Sequence, residues 1–250
     1  MGAHEHEWQI GIVGTFDVEN YGDLLFPFLA ERELGERLGN VRLHRFSYRA
    51  RSADGWHYPV TSVADLPRIM PSLDGLLVGG GFLIRFDKEV APGYLPPSDA
   101  IHHPTGYWLT PALLALQHGV PLVWNAPGMH KNELPDWAAP LLRLALSQSA
   151  YVAVRDEPTR AALAPFAGDR EVVAVPDTAF ALSRTLDSHP ELSAELARLL
   201  EELGLGRRRY LAIQAAAGMV PFVRFLARHE QSLGDLAILA LPVSPELTED

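Results

Sequence analysis

Hydrophobic positions along the chain alternate between two patterns. Short, nearly continuous apolar runs are separated by longer segments whose apolar residues recur at helical spacing. The runs are WQIGIVG (8–14), VRLHRFSY (41–48), DGLLVGGG (74–81), the start of VPLVWNAPGMH (120–130), AYVAVRD (150–156) and EVVAVPDTAF (171–180). Each is brief, rich in Val, Ile or Leu, and followed by Gly, Asn, Asp or Pro, which reads as a buried strand and its exit. Between them lie amphipathic segments. DLLFPFLAERELGERLG (23–39) places Leu25, Phe28, Leu29 and Leu34 near helical spacing, with Pro27 in the first turn, where a missing N–H costs little. VADLPRIMPSL is a short, Pro-interrupted helix, and YWLTPALLALQHG (107–119) is a helix closed by Gly119. LPDWAAPLLRLALSQS and EPTRAALAPFAG complete the set, the last with Pro158 at its start and Gly168 at its end. Residues 49–62 are polar and irregular, and a long Pro-rich stretch follows Gly81.

Roughly six strand–helix alternations predict an α/β fold: an open, mostly parallel sheet with helices on both faces, Rossmann-like. The expected first domain spans residues 1–184. The pattern then changes. SHPELSAELARLLEELGLG carries leucines at 192, 196, 199, 200 and 203 in one stripe behind a Ser188–Glu191 capping-box spacing, so 185–206 is expected to be a packed linker helix. Residues 207–250 hold strand, helix and strand, the beginning of a second α/β domain that buries too little surface to stand alone. The expectation is a truncated piece of a longer protein.

Composition narrows the chemistry. The chain has 250 residues and no cysteine, which removes disulfides, thiol catalysis and Cys-ligated metal sites. A net charge of −10 argues against a general nucleic-acid binder, but leaves small anionic ligands open. The N-terminus MGAHEHEW lacks the basic and apolar regions of a signal peptide, and no apolar run reaches the length of a membrane span, so a cytoplasmic protein is expected.

In an open parallel sheet, ligands bind beyond the carboxyl ends of the strands. Five successive strands end in polar or glycine residues. The first is followed by GTFDVENYGDLLF, with Thr15, Asp17, Asn20, Gly22 and Asp23; the others by Gly79-Gly80-Gly81, by Asn125, Gly128 and His130, by Arg155-Asp156 and by Asp177-Thr178. Asp23 taken alone reads as a helix cap, and Gly79–Gly81 as a tight turn or a close backbone approach to a ligand. Asp156 reads as the cap of the helix beginning near Pro158. Arg155, at the end of a buried strand, suits an anionic ligand, whose phosphate or carboxylate matches the guanidinium fork. His130 is a candidate because it lies at a strand exit; His4, His6, His102 and His103 are not placed for chelation. The glycines fit neither the dinucleotide nor the P-loop spacing, and metalloprotease, EF-hand and nucleophile-elbow motifs are missing.

GTFDVENYGDLLF, DGLLVGGGFLI, VAVRDEPTRAAL and VPDTAF, in this order from Gly14 to Phe180, resemble the polysaccharide pyruvyl transferase family. The resemblance implies a glycosyltransferase-B-like pair of domains with the active site in the cleft between them. It implies transfer of pyruvate from phosphoenolpyruvate to two hydroxyls of a saccharide acceptor as a cyclic ketal, with phosphate released. No cofactor beyond that donor substrate and no metal are expected, and no catalytic residue is assigned. Arg155 matches the family's R-D arginine and would hold the donor. Asp17, Asn20 and Asp23 match its N-x-G-D element and would shape the cleft or orient sugar hydroxyls; Gly79, Gly80 and Gly81 would line its floor, and Asp177 falls in the last matching segment. The family's later S-x-H-G motif is absent, since Ser232-Leu233-Gly234-Asp235 does not match it. Two other readings stay open: a nucleotide-sugar glycosyltransferase-like enzyme, and a truncated, non-catalytic binding protein.

Overall fold

The computed structural model describes residues 6–86, 108–129, 134–188, 190–214, 219–229, 231 and 234–241. The chain divides into two compact units, Met1–Val18 with Gly22–Phe180, and Glu19–Tyr21 with Ala181–Asp250.

In the first unit the apolar runs form a seven-stranded sheet. Its strands are β1 (Trp8–Val13), β2 (Val41–Ser47), β3 (Thr61–Ser62), β4 (Gly75–Val78), β6 (Leu122–Asn125), β8 (Tyr151–Val154) and β9 (Val172–Ala174). Two further short strands, β5 (Gly81–Ile84) and β7 (Pro127–Met129), prolong β4 and β6 beyond the main sheet and pair with each other. The order is β3-β2-β1-β4-β6-β8-β9, and every recorded pairing is parallel. The fold is therefore Rossmann-like, with the order reversing between β1 and β4.

Side-chain alternation along the strands divides the core in two. On one face Ile10, Ile12 and Leu43 pack against Phe26 and Ala30 of α1 (Tyr21–Leu38). On the other, Val13, Phe46, Leu76, Val78, Trp124 and Val152 meet α2 (Leu66–Ile69), α3 (Leu109–Gln117), α4 (Ala138–Ser147) and α5 (Glu157–Leu163). Helices thus cover both faces, as the alternation predicts.

Helix α1 departs from its expected form. It opens at Tyr21, so Asp23 lies inside the first turn rather than capping it, and Pro27 falls well within the helix. Its buried residues are Leu24, Phe26, Pro27, Leu29 and Ala30, whereas Phe28 is exposed. The proline ring itself is packed into the core, which offsets the backbone hydrogen bond that it removes.

The second unit contains α6 (Leu182–Ser188), α7 (Pro190–Glu202), β10 (Tyr210–Gln214), α8 (Val220–Arg228) and β11 (Ala237–Leu241). Strands β10 and β11 pair in parallel through a β-α-β connection. Ser188 ends α6, and α7 opens at Pro190, so two helices stand where one linker helix was expected. Leu192, Leu196 and Leu199 of α7, and Leu203 just beyond it, are exposed, so this stripe is not the packed seam that its spacing predicts. No helix among the described residues is long and apolar enough to cross a membrane.

The glycines of the first unit make opposite predictions. A Cβ on Gly79 would sit 2.7 Å from the carbonyl oxygen of Val13 and 3.1 Å from the Phe16 ring. Gly79→Ala is expected to destabilise the protein by about 2 kcal/mol, read as a lower denaturant midpoint. Gly35, inside α1, has no described atom within 4 Å of such a Cβ, and Gly35→Ala is expected to raise the midpoint.

Candidate functional site

The five polar strand exits belong to β1, β4, β6, β8 and β9, which are consecutive neighbours in the sheet. Their carboxyl ends therefore share one edge, and the order reversal between β1 and β4 opens a crevice there.

The β1 exit is held from β2. Asp17 is 1% exposed. Its carboxylate accepts from Ser47 Oγ at 2.5 Å and from the Arg49 N–H at 2.8 Å. Those bonds tie the loop after β1 to β2 and its exit. The excursion at 49–62 is also more ordered than its composition predicts. Arg51 and Val60 exchange backbone hydrogen bonds at 2.9 Å, closing a hairpin-like fold. From it Arg51 donates to the Asp17 carbonyl, Trp56 Nε1 to the Phe16 carbonyl and Tyr58 Oη to the Leu24 carbonyl. Two carbonyls of the β1–α1 loop, those of Phe16 and Asp17, and one in the first turn of α1 accept bonds in this way.

Asp23 is presented differently. It accepts a 2.7 Å hydrogen bond from Thr15 Oγ1 across the loop. Burial pushes its carboxyl up to about 6, against the lowering effects of the Thr15 hydroxyl and the Arg155 guanidinium, with the Asp177 charge adding to the rise. Asn20 lies on the same junction but groups with the second unit.

At the β4 exit the three glycines serve packing first. Gly79 donates to Val13 O at 2.8 Å, and a Cβ on Gly80 would lie 2.7 Å from the Phe26 ring. Gly81 has φ +84°, and a Cβ there would approach Asp23 Oδ1 to 2.8 Å. The turn thus closes tightly against α1 and delivers its third residue to the Asp23 carboxyl. At the neighbouring β6 exit the chain bends at Ala126, φ 55°, before continuing as β7.

Arg155, just beyond β8, joins these walls. Its Cζ lies 3.3 Å from the ring centroid of Phe82 on β5, a cation–π stack. Its Nε and Cδ lie against Gly128, where a Cβ would collide with them. It reaches Asp177 Oδ2 at 3.4 Å and Asp156 Oδ2 at 3.7 Å, with its side chain 15% exposed. Asp156 also caps α5 by accepting from the Thr159 N–H at 2.7 Å, as the position of Pro158 predicts. Asp177 accepts from the Ala179 N–H at 2.9 Å, which fixes the β9 exit.

The structure therefore brings Asp23, Gly81, Arg155 and Asp177 together, keeps Gly79 and Gly80 as the packed turn beneath, and ties Asp17 to β2. His130 lies outside the described residues. Thr15, Phe82 and Gly128 were not singled out as binding residues by sequence reasoning, although Phe82 directly follows the glycine run. Trp56 and Tyr58 carried a readable signal: large aromatics with polar tips in a polar stretch usually anchor it.

Fold and site together define a Rossmann-like α/β protein with a guanidinium and carboxylates gathered at the switch-point edge. The chain belongs to the polysaccharide pyruvyl transferase family, whose model matches residues 20–229. That match includes Asn20, Asp23, Gly79–Gly81, Arg155 and Asp177. No curated protein matches the chain. Among solved structures, the UDP-N-acetylglucosamine 2-epimerase from Rickettsia bellii is similar at 14% identity, with a TM-score of 0.47 over 98% of this chain and 71% of that one.

The raised Asp23 carboxyl has a consequence for stability. The folded state holds this proton more tightly than the unfolded chain, whose aspartate titrates near 3.8. The contribution of Asp23 to stability is therefore greatest below that value, falls as pH rises toward about 6, and stays lower above it. Asp23→Asn keeps an acceptor for Thr15 and removes the charge. It is expected to be more stable than the native protein at pH 7.5 by about 1–2 kcal/mol, with the advantage vanishing near pH 4. Thermal melts across that range check it.

Proposed function

We propose that this protein transfers pyruvate from phosphoenolpyruvate to two hydroxyls of a sugar in a cell-surface or exopolysaccharide. The product is a cyclic ketal, and phosphate leaves. Family membership supports the reaction class. The observation that carries the reading is the setting of Arg155 at the ligand edge of the sheet, stacked on Phe82 and pressed against Gly128.

The donor carries a phosphate and a carboxylate, both suited to a guanidinium fork. The contacts of Arg155 with Asp156 and Asp177, at 3.7 and 3.4 Å, are long for charge-assisted hydrogen bonds, which run about 2.7–2.9 Å. An incoming anion with better geometry competes with them directly. Stacking on Phe82 fixes the plane of the guanidinium in advance, which lowers the entropy lost on binding. Asp23 and Asp177 supply polar groups for the acceptor hydroxyls, and the Gly79–Gly81 turn forms the floor. We place the reaction in the cytoplasm, in keeping with an acidic chain free of cysteine.

Phosphate release from phosphoenolpyruvate with galactosyl or mannosyl acceptors tests the assignment. Arg155→Ala is expected to weaken donor binding by about a hundredfold and to lower turnover with it. Arg155→Lys restores charge without the planar fork and is expected to recover only part of the loss. Normal donor binding and turnover in Arg155→Ala would show that the anchor lies elsewhere.

A further inference from the structure

Anchoring the donor on Arg155 leaves the proton that the reaction requires without a source. The Asp23 carboxyl, on the first turn of α1, interacts electrostatically with the same guanidinium, is bonded to Thr15 Oγ1 at 2.7 Å, and lies next to Gly81, whose neighbour Phe82 stacks on Arg155. The charged and titratable groups that act on it come from three other segments: Arg155 after β8, Asp177 after β9, and Tyr58 from the 51–60 excursion. Asp177 meets Arg155 and the Ala179 N–H. At Asp23 burial favours the neutral form and lifts the carboxyl to about 6. A carboxyl kept neutral by its surroundings near a cation that takes an anionic substrate is placed to act as an acid.

We infer that Asp23 is the general acid of the reaction, giving its proton to C3 of phosphoenolpyruvate; the assignment rests on the pyruvyl-transfer reading above. The enol π pair forms the new C3–H bond, leaving an oxocarbenium centre at C2. One sugar hydroxyl oxygen bonds to C2. The C2–O bond to phosphate then breaks, its electron pair departing with phosphate, and the second hydroxyl closes the ketal. Of the two hydroxyl protons, one returns to Asp23 and one leaves on phosphate, so the cycle closes with no other reactant. The donor's negative charge beside Asp23 raises its proton affinity further, so substrate binding itself loads the acid.

The test combines three measurements on the native chain, Asp23→Asn and Asp23→Glu: calorimetric binding of phosphoenolpyruvate, phosphate release across pH 5–9, and carbon-13 titration of the Asp23 carboxyl with and without donor. Asp23→Asn is expected to bind the donor within about threefold of native while turnover falls about a hundredfold or more. The native decline in rate on the alkaline side should vanish in Asp23→Asn and reappear in Asp23→Glu. Donor binding should move the Asp23 titration upward. The inference is overturned by turnover of Asp23→Asn within tenfold of native, by an unchanged alkaline limb, or by a titration that ignores bound donor. Equal losses in binding and turnover would make Asp23 a donor-holding group and likewise overturn it. A native chain that binds no phosphoenolpyruvate removes the pyruvyl-transfer reading and this assignment together, and the binding arm distinguishes that result from the others.

Discussion

The contact on which the candidate site depends is between two backbones: the Gly79 N–H donates to the Val13 carbonyl at 2.8 Å, with no space for a side chain between them. That approach joins the ends of β1 and β4 at the point where the sheet order reverses. It seats the following turn on Phe16 and Phe26, and it places Gly81 against the Asp23 carboxyl. From Gly81 the chain continues as β5, pairs with β7, and carries Phe82 to the face of Arg155. Asp23, Gly81, Phe82 and Arg155, from three separate segments, are thus linked to one steric requirement, which only glycine at 79 meets without displacing its neighbours.

Rigidity on the opposite side of the site comes from polar bonds. Asp17 ties the β1 exit to β2, and the 51–60 excursion donates from Arg51, Trp56 and Tyr58 to three carbonyls of the same junction. A loop is normally the least precise place for a functional group. Here Ser47 of β2 and the excursion bond to the backbone on both sides of Thr15, so the Thr15–Asp23 pair is held by fixed elements.

The strands and their exits were legible because each is a compact apolar run ending abruptly in polar residues, and parallel sheets bury such runs on both faces. The grouping of Asp23, Gly81, Arg155 and Asp177 followed from topology alone, since all sit at carboxyl ends of neighbouring strands. Other features depended on partners distant in sequence. The clamp on Asp17 needs Ser47 beside it, a pairing that exists only once β2 lies along β1. The buried face of α1 was misread because Pro27 and Ala30 pack inward while Phe28 points out, contrary to their hydrophobic rank. In and just beyond α7 the leucine stripe has helical spacing, yet spacing says nothing about what covers it, and the four leucines at 192, 196, 199 and 203 are exposed.

Charge balance imposes a last constraint. Among the described residues, Arg155 is flanked by Asp156 and Asp177 and feels Asp23, so the guanidinium is already outnumbered by carboxyls. Adding a multiply charged anion to that cluster is unfavourable unless negative charge is removed at the same time. Asp177 and Asp156 each accept a backbone N–H. Asp23 has a hydroxyl donor and a burial cost, which favours its neutral form. On the reading proposed above, anion binding at Arg155 would be coupled to proton uptake at Asp23, because the two groups interact electrostatically.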